Sequence, residues 1–93
     1  MTVEELWDWL NKRFNQYRAE KPYSQDFYLV GEGDYNFDIY LGGYDDNGAL
    51  VFNYINNMYN IHYRFNHKTV CTMFVLKEGM SCEKAQQFIE SLL

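Results

Sequence analysis

The spacing of apolar residues in this chain changes at Pro22 and changes back after Gly79, and the first change limits its folds more than any other feature. Before it, Val3, Leu6, Trp7, Leu10, Phe14 and Tyr17 recur at three-and-four spacing, which gives a helix one apolar face. Thr2 and Glu5 stand at the separation of a capping box, so the helix is expected to start there. Glu4, Glu5 and Asp8 come early and Lys12, Arg13, Arg18 and Lys21 late, the order that suits both ends of the helix dipole. Pro22 then ends the helix.

Beyond Pro22 the period is two. Strands are predicted over about 26–31, 35–41, 49–55, 58–65 and 69–76. In the second, Tyr35, Phe37, Ile39 and Leu41 alternate with Asn36, Asp38 and Tyr40; in the fourth, Tyr59, Ile61, Tyr63 and Phe65 alternate with Asn60, His62 and Arg64. The breaks, Gly31 to Asp34, Gly42 to Gly48, Asn56-Asn57 and Asn66 to Lys68, are short and rich in turn residues, which implies antiparallel neighbours. Glu78-Gly79 is expected to end the last strand. Ser81 then N-caps a closing helix with Met80 placed to staple onto Ala85 and a stripe of Ala85, Phe88, Ile89 and Leu92. The expected fold is α+β: an antiparallel meander of about five strands between two helices, α-β-β-β-β-β-α, with both helices on one sheet face.

With 93 residues there is room for one core, so residues 1–93 are read as a single domain. Aromatics make up 19% of the chain, and they can supply a large buried area from few positions. The opening Met1-Thr2-Val3-Glu4-Glu5 has neither a basic start nor an apolar run behind it, and no apolar stretch approaches the ~20 residues of a spanning helix. A cytoplasmic protein without membrane contact is expected, with Cys71 and Cys82 as reduced thiols.

Charge is the more informative pattern. Between Lys21 and Arg64 there is no cation, while Asp26, Glu32, Asp34, Asp38, Asp45 and Asp46 all fall there. The other seven acids share the rest of the chain with all eight cations. Asp34 and Asp38 are read on one side of a strand, with Glu32, Asp45 and Asp46 in turns near its ends, so one sheet face and its rim should be electronegative. Acidic turns also keep an aromatic-rich chain in solution without any partner. What favours a binding surface is the company these acids keep, tyrosines and asparagines, which give rigid contacts and adaptable hydrogen bonds. The expected partner-binding residues are Glu32, Asp34, Asp38, Asp45 and Asp46 for the field, with Tyr40 and Tyr44 as anchors.

Direct nucleic-acid binding is not expected, because a phosphate backbone calls for a basic stripe that the sheet lacks. His62, His67, Cys71 and Cys82 contain no Cys-x-x-Cys pair, and the acids at 32, 34 and 38 lack the glycine of a calcium loop, Ile39 standing in its place; no metal or other cofactor is expected. Ser24, Ser81 and Ser91 lack a nucleophile-elbow context and no phosphate loop occurs, so an enzyme is the least favoured class. The expectation is a stoichiometric protein inhibitor, monomeric or homodimeric, whose acidic sheet region docks on a basic surface of another protein. By class alone, small acidic domains that act this way include phage-encoded inhibitors of bacterial defence, such as anti-CRISPR and anti-restriction proteins, and immunity proteins that neutralise toxins. A self-associating structural or accessory module, in which an uncovered strand edge pairs with its copy, is the alternative from another class.

Overall fold

The computed structural model describes residues 1–42, 48–67 and 70–93, with the backbone alone of residues 66, 67, 70 and 71. Helix α1 (Val3–Glu20) starts at the capping box read from the sequence: the Thr2 hydroxyl accepts from the Glu5 N–H at 3.1 Å, and the Glu5 carboxylate accepts from the Thr2 N–H at 2.8 Å. Thr2→Ala removes one half of this exchange and should cost about 1 kcal/mol in urea unfolding, with Thr2→Ser restoring most of it.

Five strands follow, β1 (Tyr28–Gly33), β2 (Asn36–Tyr40), β3 (Ala49–Ile55), β4 (Met58–His67) and β5 (Val70–Met80), then helix α2 (Cys82–Leu92). They form one antiparallel sheet in the order β1-β2-β3-β4-β5, the meander expected from the short breaks. Ser81 caps α2 as anticipated, its hydroxyl accepting from the Lys84 N–H at 3.2 Å.

Several strand ends differ from the sequence reading, two of them for reasons the structure shows. β1 starts two residues late, because Phe27 has a left-handed backbone (φ 58) that breaks the strand before Tyr28. Arg18, in the last turn of α1, holds that conformation: its guanidinium donates to the carbonyls of Ser24, Asp26 and Phe27 at 2.7–2.8 Å. β5 runs through Gly79 instead of ending there. Its register with β4 slips twice between Tyr59 and His62, and the Asn60 amide oxygen accepts the Gly79 N–H at 2.8 Å, so the glycine is absorbed into the strand.

The turn between β1 and β2 also lies later than expected, with Asp34 and Tyr35 both left-handed (φ 52 and 64), matching Asn56 and Asn57 (φ 53 and 64) between β3 and β4. The phenol of Tyr59 donates to the Tyr35 carbonyl at 2.7 Å and pins the first turn. Gly48 (φ 85) opens β3 where a Cβ would stand 2.6 Å from the Arg64 carbonyl oxygen, so no other residue fits.

Register places Phe37, Phe52 and Ile61 in one row of the sheet, and the buried side chains of both helices, Leu6, Leu10, Phe14, Ala85 and Ile89, close over that face. Phe37 and Phe52 stack at 4.5 Å, with Trp7 of α1 and Tyr59 of β4 against Phe37 at 5.6 and 5.5 Å. Gly31, opposite Phe37, leaves room for the Trp7 ring, which would lie 3.4 Å from a Cβ there. Trp7 and Trp9 are both half-buried, packed on the edge of this core. The chain is thus a single α+β domain with helices on one sheet face. No helix among the described residues is long and apolar enough to cross a membrane.

Candidate interaction site

The acids read from the sequence as one face separate in the structure. Asp38 is the clearest correction: it is only 2% exposed and ion-paired, so it cannot meet a partner. The sequence reading placed it on a solvent-facing row. Register brings Arg64 to the same sheet face one row along, through Tyr40↔Ala49↔Arg64, and its guanidinium lies 3.3 Å from the Asp38 carboxylate. The same guanidinium donates to the Tyr40 hydroxyl at 3.1 Å, which makes half-buried Tyr40 part of an internal network. Burial raises the Asp38 pKa above the ordinary range, Arg64 opposes that rise, and the neighbouring Glu32 carboxyl, hydrogen-bonded to Asp38, adds to it. The first cation after the long acidic stretch therefore neutralises an acid two strands away.

Glu32 and Asp34 are exposed, as expected, but Asp34 belongs to the turn and not to the strand side occupied by Asp38. Tyr44, Asp45 and Asp46 lie outside the described residues. Two of the asparagines are structural: Asn36 accepts from the Tyr54 N–H at 2.7 Å and Asn57 from the Tyr54 hydroxyl at 3.3 Å.

Sequence reasoning missed what the fold sets beside the β1–β2 turn. Glu4, Glu5, Trp7, Asp8 and Asn11 of α1 line an open groove of about 480 Å³ together with Tyr35, and none of these residues is cationic. Tyr35 donates to Glu4 at 3.2 Å, tying the turn to the helix. Asp8 is bridged by Lys12 at 3.1 Å in an exposed pair that offsets its charge, so Glu4 and Glu5 carry most of the field of the groove. In sequence these helix acids read as partners of the dipole; only the tertiary fold brings them next to Asp34 and Tyr35. An adjoining groove of about 420 Å³ is lined by Met1 to Glu4, Tyr54, Asn57, Met58 and Ser81 to Glu83. There the N-terminal ammonium pairs with Glu83, and burial raises the Cys82 thiol pKa, which keeps it a packed, protonated side chain.

The opposite edge of the sheet has a different character. From Asn47 to Lys77 the chain has no acid at all, and Met73, Phe74, Val75 and Leu76 of β5 are 48–56% exposed. The surface is therefore divided, acidic at the β1 end and apolar along β5. On β4, His62 is half-buried, and its Nδ1 makes no hydrogen bond among the described residues. No protein-family model matches this sequence, and comparisons with curated proteins and with solved structures find no similar chain.

Proposed function

We propose that this chain is a small binding protein of the stoichiometric-inhibitor kind, which sets its acidic end on a cationic surface of another protein. The observation that carries this reading is the gathering of Glu4, Glu5 and Asp8 from α1 around Trp7 and Tyr35, with Asp34 next to Tyr35 in the turn and Glu32 at the end of β1. Glu5 caps α1 and Glu4 accepts from Tyr35, but like charges held together also repel one another, whereas their summed field draws in a basic partner and rejects acidic ones. Trp7 and Tyr35 give that field an aromatic anchor, the residue type that carries most of the energy at an interface. A negative surface of this kind fits a groove that otherwise holds nucleic acid. Phage inhibitors of bacterial defence, anti-CRISPR proteins among them, and toxin-neutralising immunity proteins are the classes in which such a domain acts alone.

Neutralising the field without disturbing the fold is the test. Glu4→Gln, Glu5→Gln and Asp34→Asn keep shape, the capping box and a residue that accepts positive φ in the turn. In affinity capture from lysate of the native host, the unmodified chain should recover a basic protein at low salt and lose it at high salt, and the triple variant should recover little at either. With the partner in hand, the variant should associate about tenfold more slowly and with a flatter salt dependence. Equal recovery by both proteins at both salt concentrations would remove the acids from the binding surface.

A further inference from the structure

We infer that the outer edge of β5 pairs with β5 of a second copy of this chain, making a twofold dimer with one sheet running through both. β5 ends the sheet order, so a row of its backbone N–H and C=O groups faces away from β4. The run Met73-Phe74-Val75-Leu76 has the unbroken apolar composition of a strand buried on both faces, yet all four residues are about half exposed. Met58, also exposed, lies beside Gly79 at the end of the same strand and extends the patch. Side chains of this size at half exposure leave roughly 100 Å² each open to water, so these five supply about 500 Å² of the roughly 800 Å² that one partner gives a standard interface. Strand pairing and the flanking main chain supply the remainder.

A second copy is the occupant that this patch selects. An extended peptide would satisfy the backbone edge but bring no helix layer to the face on which Phe74 and both helices lie. A twofold copy brings one: with the pair centred on Phe74, Phe74 meets its own equivalent on that face and Met73 meets the Val75 of the copy on the other. Charge supports the same choice. Each chain carries −5, but β3 to β5 contain a single acid, Glu78, so two copies approach through β5 without facing carboxylates, and their acidic β1 ends lie farthest apart. The other sheet edge is unsuited, since β1 ends in Gly31-Glu32-Gly33 and presents a charge and little side chain.

Sedimentation equilibrium of the full chain from micromolar to millimolar concentration tests this. The expected result is a concentration-dependent rise from one chain mass to two, with a plateau there. Val75→Lys should weaken association at least a hundredfold while leaving the far-UV spectrum unchanged, because Val75 is on the surface in the single chain. Should that variant fold poorly, Met73→Ser is the milder substitution on the same face and should weaken association about tenfold. A chain that stays monomeric throughout, or a dimer that both substitutions leave intact, overturns the proposal. The acidic end takes no part in this contact, so the triple neutralisation of Glu4, Glu5 and Asp34 should leave the dimer unchanged, and the two readings fail separately.

Discussion

Arg64→Met is expected to lower the unfolding free energy by about 3–5 kcal/mol, as removal of one partner from a buried ion pair does. Methionine keeps most of the arginine stem's packing, so the loss comes from charge. Asp38 would then stand 2% exposed with no guanidinium beside it and with the Glu32 carboxyl still in hydrogen-bonding contact. Tyr40 would lose its donor as well. Asp38→Asn should cost far less, about 1 kcal/mol, because it retains hydrogen-bonding capacity and leaves Arg64 its bond to Tyr40. The pH dependence has a definite sign. The native Asp38 pKa is raised, so the folded chain holds this proton more tightly than the unfolded chain. The contribution of this group to stability is then full below the unfolded pKa and is lost as pH rises through the folded one. Without Arg64 the folded pKa rises further, so the penalty of Arg64→Met should be largest near neutral pH and shrink toward the acid range. Urea unfolding at both pH values measures it, and an equal penalty at both would mean that Asp38 is not the group left exposed to the loss.

Phe37→Ala should cost a similar amount, about 3–5 kcal/mol, through a cavity at the point where helix and sheet meet. Phe37 is fully buried, stacks on Phe52 and touches both Trp7 and Tyr59. Trp7 also lines the acidic groove, so its loss of support should reach the surface: Trp fluorescence should shift toward that of a solvated indole before the unfolding transition. Phe37→Leu fills most of the space and should cost no more than about 1.5 kcal/mol. A Phe37→Ala penalty below that figure would show that the helices rest on the sheet less closely than this packing describes.

The order of elements was legible in the sequence because it rests on local rules. Thr2 with Glu5, Ser81 before α2, and Asn56-Asn57 between β3 and β4 each specify their own neighbourhood, and each is found as read. Phe27 was not legible, since its left-handed backbone is held by Arg18 from the preceding helix and by no feature of its own neighbours. The end of β5 was misplaced because glycine marks both strand ends and bulges, and the Asn60 side chain decides between them.

The site was harder, for a reason of range. Alternation shows that Asp38 faces away from Phe37 and Ile39, but not that Arg64 waits on the same face in the next row, two strands off. Conversely, Glu4, Glu5 and Asp8 have a sufficient local role in α1, and nothing within the helix reveals that the β1–β2 turn is set beside them through Tyr35. Acidity could be counted from the sequence; its placement needed the register and the packing of α1.

Hydrogen exchange of this chain, free and bound to the captured basic partner, tests the acidic docking surface most directly. Protection gained on binding should fall on the amides of the β1–β2 hairpin, from Val30 to Asn36, and on the first two turns of α1. Protection confined to β5 and α2, with those segments exchanging as in the free chain, would contradict it.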